Sequence, residues 1–372
     1  MKLVIISHTE HYMKEGIPYG WGATVREIYQ LAKLFEQIVH IAPLYNGEPP
    51  TSFYSYDTTN VKHVSVLPAG GDGIFNKLRI LLRIPEYIQV ILKEIKNADV
   101  VHVRAPANIS LFAMVLLTFI KHPKKRWIKY AGNWQNYARE AHSYRFQKWW
   151  LKRNFARAKV TVNGEWPNQP QHIHSFYNPC ISDDERLAAA ELTKGKILTS
   201  PVQLIFVGRL EDEKGVGRIL KIASELDQQS IEYEIDFVGD GPNRKSYEQE
   251  AQNLKGKIIF HGWLSRNQLN RLYQKAHFIL LPSEGEGWPK VLSEAMAFGV
   301  IPIASKVGSI GEYLTKFTVG LAVTDPSEYG VSLREYLLHD KVWLRESELA
   351  REVSAKFVYE EYLIKVKGLL SL

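Results

Sequence analysis

Short apolar runs alternate with longer helix-period stretches along this chain, and the alternation breaks once and then restarts. In the first half, residues 3–7, 38–42, 61–67, 100–104, 127–131 and 159–163 read as strands, with helical stretches at 23–35, 77–96 and 109–121. In the second, 202–207, 233–238, 257–260, 278–281 and 301–304 are strand-like, separated by helical patterns near 215–228, 265–276, 289–298 and 326–338. Strands this uniformly apolar are buried on both faces, which implies parallel sheets with helices packed on each side. The break falls at 181–200, a polar stretch rich in Ala and Lys. Two doubly wound domains facing a cleft are the expected architecture, and ligands in such sheets sit beyond the carboxyl ends of the strands. The 372 residues suit two domains rather than one.

Hydrophobic residues make up 45% of the chain and charged ones 23%, enough for each half to bury a core. The single cysteine, Cys180, excludes an intrachain disulfide framework and suits a reducing compartment. After Lys2 only four apolar residues follow, too few for a signal-peptide core, so this stretch reads as a first buried strand. The longest near-apolar run, 109–120, is well short of the ~20 residues a membrane span needs. A cytoplasmic protein is expected. The net charge of +7 is uneven: residues 1–180 hold 23 Lys and Arg against 12 Asp and Glu, whereas 181–372 hold 24 against 28. A basic first half suits an anionic partner such as a membrane surface or a phosphate-bearing acceptor, and equally serves solubility.

Four segments of the second half stand where an α/β sheet places ligand contacts. In FVGRLEDEKGV (206–216), Arg209 and Lys214 lie five apart across a loop that Gly208 and Gly215 allow to turn. Two cations at a strand's carboxyl end are what a departing diphosphate needs. In FVGDGPN (237–243), Gly239 and Gly241 permit close backbone approach and Pro242 suits a helix start. FHGWLS (260–265) ends a short strand and could face a nucleobase with its backbone. In LPSEGEGWPKVLSEAMAFGVIPIAS (281–305) a helix is expected to start near Pro289, so amides from Trp288 to Val291 form a positive helix mouth for phosphate oxygens. Glu286 before that helix and Glu294 inside it can accept hydrogen bonds from sugar and ribose hydroxyls. An acid followed by Ala295, Met296, Ala297 and Phe298 is costly unless it has a task.

GRLEDEKG, GDGP, the Glu-x7-Glu stretch EGWPKVLSE and the following AMAFGVIPIAS together resemble retaining glycosyltransferase family 4, on the GT-B fold. The resemblance is strong from about 201 to 366 and patchy before that. It implies an N-terminal acceptor domain (1–180), a linker (181–200), and a C-terminal nucleotide-sugar domain (201–349). A last helix (350–372) would cross back to the first domain. Position by position, it implies that Arg209 and Lys214 bind the donor diphosphate, Glu286 the transferred sugar and Glu294 the ribose. Amides of Gly287, Trp288, Pro289, Lys290 and Val291 would complete the phosphate site, proline itself lacking an N–H. Gly208, Gly239 and Gly241 line the donor, and Lys290 adds a cation. Gly20 and Gly22 resemble the family's glycine loop near phosphates and acceptor. Where many relatives carry a histidine, KYAGNW (129–134) offers Ala131 or Gly132, with Asn133 beside the acceptor. That histidine's role therefore does not carry over.

The resemblance further implies sugar transfer with retention, the leaving diphosphate taking the acceptor's proton, within cell-envelope glycan synthesis. UDP is the preferred carrier on frequency alone. The sequence has no Asp-x-Asp pair to hold a divalent ion, so no metal or other cofactor is expected, and Glu211, Asp212 and Glu213 read as a solvated loop. Residues 75–96 and 142–159 interleave cations with aromatic or aliphatic groups, including Phe146, Trp149, Trp150 and Phe155. This suits peripheral docking on an anionic membrane, and equally a core packing with cations in water. A nicotinamide enzyme is a weaker reading, because GWGATV (20–25) and GDGPNR (239–244) both lack the third glycine of the fingerprint. A sugar-nucleotide epimerase fits the fold but leaves the Glu286/Glu294 pair unexplained, and a nucleic-acid binder leaves the second-half motifs unexplained.

Overall fold

The computed structural model describes residues 1–69, 74–137 and 140–372; the side chains of 74–79, the first part of the 75–96 stretch, lie outside the described residues. The chain forms two compact units: Met1–Phe176 with Tyr362–Leu372, and Tyr177–Glu361.

Unit 1 runs β1 (Lys2–Ile6), β2 (His11–Lys14), β3 (Ile17–Trp21), α1 (Gly22–Leu31), β4 (Gln37–Tyr45), β5 (Phe53–Ser55), β6 (Val61–Val66) and α2 (Ile74–Ile95). It continues with β7 (Val100–Ala105), α3 (Asn108–Phe119), β8 (Lys125–Tyr130), α4 (His142–Lys152), β9 (Lys159–Val162) and β10 (Ile173–Ser175). The strands form one sheet in the order β10-β9-β8-β7-β1-β4-β2-β3-β5, with β6 also on β4. Pairing from β10 to β4 is parallel; β2–β3 and β3–β5 are antiparallel. Alternate residues of β1 face opposite sides. Val4 and Ile6 pack in the core under α2 and α3, whereas Leu3 and Ile5 join Ile28 and Leu31 of α1.

Unit 2 holds α5 (Asp183–Leu192), β11 (Val202–Val207), α6 (Val216–Gln228), β12 (Tyr233–Val238), α7 (Arg244–Ala251), β13 (Lys257–Gly262), α8 (Arg266–Lys275) and β14 (Phe278–Leu281). Then come α9 (Lys290–Ala297), β15 (Ile301–Ser305), α10 (Ile310–Phe317), β16 (Leu321–Val323), α11 (Glu328–Leu338), α12 (Asp340–Val353) and α13 (Tyr359–Leu370). Its six strands are parallel throughout, in the order β13-β12-β11-β14-β15-β16. The segment expected as a linker contains α5, opened by a capping box in which Ser182 accepts from the Glu185 amide and Glu185 from the Ser182 amide. Helix α13 begins in unit 2, and its Tyr362, Val366, Leu369 and Leu370 are buried in the core of unit 1. Among the described residues, no helix is long and apolar enough to cross a membrane.

Candidate functional site

In unit 2 the chain starts at β11 and adds β12 and β13 on one side, then β14, β15 and β16 on the other. The loops leaving β11 and β14 therefore stand side by side at the carboxyl edge, at the point where strand order reverses. They are fastened there. The Lys214 ammonium is 2.7 Å from Glu286 Oε1. Arg218, on the first turn of α6, donates from Nε to the Pro282 carbonyl (2.8 Å) and pairs with Glu284 (3.3 Å). The Glu284 amide donates to the Glu213 carbonyl at 2.8 Å. Gly215 has φ +82, and a Cβ there would lie 2.2 Å from the Pro282 oxygen, so only glycine allows this approach. Two motifs picked from sequence thus meet, while Arg218 was missed because a helical arginine has no signature of its own.

Arg209 is placed differently from Lys214. Its side chain is 62% exposed and its Nε sits 3.1 Å from Glu211. The acidic run beside it has Asp212 and Glu213 exposed, as expected of a solvated loop, but it is also anchored. Asp212 accepts from Asn243 (2.9 Å) and from the Tyr247 hydroxyl (2.5 Å), tying the loop to α7. Burial, and then the Asp212 bond, push the Tyr247 phenol up to about 12.

Three glycines expected to line the donor have their amides engaged within the protein. Gly208 donates to Val238 (3.0 Å), Gly239 to Gly262 (2.8 Å) and Gly241 to Asp240 Oδ1 (2.8 Å). A Cβ on Gly239 would come 2.0 Å from the Gly208 carbonyl oxygen, so its missing side chain serves packing between loops.

Helix α9 starts at Lys290, with Pro289 as its N-cap in extended conformation. The Gly287 carbonyl accepts from the Ser309 amide (3.1 Å) and hydroxyl (2.9 Å), which fixes the loop before the helix. Trp288 is expected to offer its backbone amide, and its side chain has a separate role. Its ring is buried against Phe357 (5.2 Å, nearly parallel) and its indole N–H donates to Ser293, so the side chain belongs to the core. Val291 packs against the same core. Glu294 is paired at 2.6 Å with Arg266, a residue the sequence reading did not single out. The Ser265–Gln268 capping box could have placed Arg266 at the start of α8, but nothing local points to its partner.

In unit 1, Gly20 is not in a loop. Residues 11–21 fold back as the β2–β3 hairpin through Glu15 and Gly16, both at positive φ, and Gly20 stands opposite His11. Gly22 is the first residue of α1, with its amide bonded to the Ser52 carbonyl at 3.1 Å. Asn133 follows β8 and accepts from the Gln135 amide at 2.9 Å.

Beneath α1 the sheet carries buried polar groups. His11 Nδ1 donates to the Thr9 carbonyl (2.8 Å), so its Nε2 accepts from Tyr56 (2.9 Å). The Tyr56 oxygen then accepts from His40 Nδ1 (2.5 Å), and His40 Nε2 accepts from Ser7 (2.7 Å). Burial is the first cause lowering both imidazoles, His11 to about 3, with neighbouring His63 adding to it in each case. His102, buried and stacked on Trp127, is also held neutral, by burial and then by Arg104. Beside it the fully buried carboxylate Glu27 receives Arg104 (2.7 Å), Lys129 (2.7 Å) and the Tyr362 hydroxyl (3.0 Å).

Comparison with known proteins agrees with this architecture. Residues 190–351 match the family of glycosyl transferases group 1. A Campylobacter jejuni α-1,4-N-acetyl-D-galactosaminyltransferase, acting on a diphosphoundecaprenol-linked glycan by its name, is 27% identical over 52% of this chain and 54% of its own. The chain thus spans about half the length of that relative. Sucrose-phosphate synthase from Thermosynechococcus elongatus superimposes with a TM-score of 0.72 at 17% identity, over 99% of this chain and 98% of that one. S. aureus TarM, solved with UDP, gives 0.58 at 12% identity, over 78% and 59%. The fold is that of the GT-B glycosyltransferases.

Proposed function

We propose that this chain is a retaining glycosyltransferase moving a sugar from a nucleoside diphosphate sugar to a glycan or lipid-linked acceptor in cell-envelope glycan synthesis. The observation that carries the reading is the Lys214–Glu286 ion pair, which joins a cationic loop to an acidic one at the strand-order reversal of unit 2. The group 1 match over 190–351 spans both loops. UDP is the first carrier to test, in line with the UDP held by TarM.

In this reading Lys214 and Arg209 meet the diphosphate together with the first amides of α9, at the positive end of that helix. Glu286 accepts from a hydroxyl of the sugar, and Glu294 from the ribose. The bond from the anomeric carbon to the diphosphate oxygen breaks as the acceptor oxygen attacks the same face. The acceptor's proton passes to the departing diphosphate, so charge develops where the cations stand. Gly22 belongs to the donor side, and Gly20 and Asn133 to the acceptor side. Since no Asp-x-Asp pair is present, transfer is expected to need no metal, and strict dependence on Mg²⁺ or Mn²⁺ after EDTA treatment overturns that part.

Membrane docking belongs to the same proposal. Phe146, Trp149 and Phe155 are exposed around α4, within 5.5–5.6 Å of one another through Trp149, beside Lys152 and Arg153. Lys148 is not part of that surface: it is buried, 2.6 Å from Glu140. On α2, Leu81 and Leu82 are exposed. Co-sedimentation with anionic but not neutral vesicles is the expected result.

The deciding experiment incubates the protein with a panel of nucleotide sugars and follows nucleoside diphosphate release with and without a polyprenyl-diphosphate-linked glycan. Acceptor-dependent release from one donor supports the reading, and no binding of any nucleotide sugar by calorimetry overturns it.

A further inference from the structure

Glu294 lies in the second turn of a helix whose neighbours Leu292, Ser293, Ala295, Met296 and Ala297 are all buried. An acid in such surroundings needs a compensating charge and a fixed direction. Arg266 supplies both. It stands at the first position of α8, a helix start locked by the Ser265–Gln268 capping box, and its Nη1 reaches Glu294 Oε1 at 2.6 Å. The arginine side chain is 18% exposed and the glutamate 12%. The pair is therefore largely shielded from water yet not sealed.

The bonding is one-sided. Among the described residues Glu294 is the acceptor Arg266 bonds to, and the arginine's Nε is buried without a partner. Further along the same face of α8, Asn270 Oδ1 and the Tyr273 hydroxyl are likewise buried and unpartnered, at spacings of four and seven from Arg266. Burial alone would lower the Arg266 pKa, but the Glu294 carboxylate, with Glu185 and Cys180 adding to it, more than offsets burial and the value is raised. A hydrogen bond to one carboxylate oxygen leaves the second without a described partner, held in a single direction.

We infer that Arg266 is a positioning residue for the nucleotide: by clamping Oε1 it aims the other oxygen of Glu294 at the two ribose hydroxyls. This rests on the reading of Glu294 as the ribose contact. The contribution is specific to ribose, because the guanidinium acts through the carboxylate and touches neither base nor phosphate. A carboxylate free to rotate would spread its oxygens over several directions and lose most of the advantage of a vicinal diol over a bare furanose.

The test compares binding of UDP with that of 2′,3′-dideoxy-UDP by calorimetry, with GDP and its dideoxy form in parallel; the pair that binds is the one read. Wild-type protein is expected to prefer the ribose form by roughly 10–100-fold, the range of hydrogen bonds to a charged group. Arg266→Gln and Arg266→Met should bring that preference below about 3-fold while affinity for the dideoxy form stays within about 2-fold. Arg266→Lys, which keeps the charge but shortens the reach, should fall between, and it carries the test should the neutral variants not fold. An unchanged preference in the variants overturns the role of Arg266 and leaves the ribose reading standing. Equal loss of both forms marks a structural strut and also overturns it. No preference in the wild-type protein overturns both readings together.

Discussion

The two units share a parallel α/β plan but differ in where they keep their charge. Unit 2 places ion pairs at the carboxyl edge, Lys214 with Glu286, Arg218 with Glu284 and Arg266 with Glu294, and its in-sheet polar pairs, Glu234 with Lys257 and Asp236 with His261, run between β12 and the edge strand β13 and stay partly exposed. Unit 1 buries charge and imidazole between the sheet and α1, where Glu27 of α1 meets Arg104 and Lys129 of the sheet, with His40 and His102 on neighbouring strands. A sheet with an oily interior needs polar groups only where a ligand arrives. One that threads polar groups through its interior depends on every partner staying in place, since an orphaned buried charge costs more than the pair contributes. The first arrangement is suited to chemistry and the second to holding a shape.

The largest effect expected from this contrast is in unit 1. Glu27→Ala leaves Arg104 and Lys129 buried without their carboxylate and should cost about 3–5 kcal/mol. Amide exchange would quicken through β1, β7 and β8, while β11, β12 and β14 keep their protection; uniform change in both units would break the distinction. In unit 2, Lys214→Ala should leave the melting temperature nearly unchanged yet lower turnover by about 10²–10³, near 3 kcal/mol. Near-wild-type kinetics would remove Lys214 from the reaction.

Acid sharpens the contrast further. His11, His40 and His102 have folded pKa values below the usual 6.5, His11 at about 3. Below pH 6.5 the unfolded chain takes up protons that the folded one refuses, so stability is full above that pH and falls toward pH 3. The slope is about 1.4 kcal/mol per pH unit for each such group. In unit 2, burial and Lys196 lower His277 to about 4, giving the same sign from one group. Exchange measured at pH 7 and pH 5 should therefore loosen β1 and β4 more than β11. The smallest effect is that of Tyr56→Phe. It removes the hydroxyl between His11 and His40 and should cost about 1–2 kcal/mol in denaturant unfolding, with donor binding unmoved.

Much of unit 2 was legible in the sequence because its signals are local. The strands at 202–207, 233–238 and 278–281 are short, mostly apolar stretches, 233–238 interrupted by Glu234 and Asp236, and the structure places them at those bounds. Lys214 and Glu286 each stand out from motifs at strand ends, and the structure joins them. What escaped was set by tertiary partners. HYMKEGIPYGW reads as a loop, yet pairs as the β2–β3 hairpin because β4 offers β2 an edge. Trp288 lies in a motif rich in ligand groups but is claimed by Phe357 and Tyr313, far along the chain. The row of buried histidines has no period of its own, since His11, His40 and His102 come from β2, β4 and β7. Helix α5 lies in a stretch read as linker, although Ser182 and Glu185, three apart, carry a capping-box signal.

The path of α13 has a consequence for biosynthesis. Unit 2 is continuous, whereas unit 1 is completed only by Tyr362–Leu372. During translation, residues of unit 1 must wait for a segment made about two hundred residues later: Leu3, Ile28 and Trp127 keep an uncovered strip until Tyr362 and Val366 emerge to close it. A nascent chain stalled before that point would carry a finished second unit and an unfinished first one.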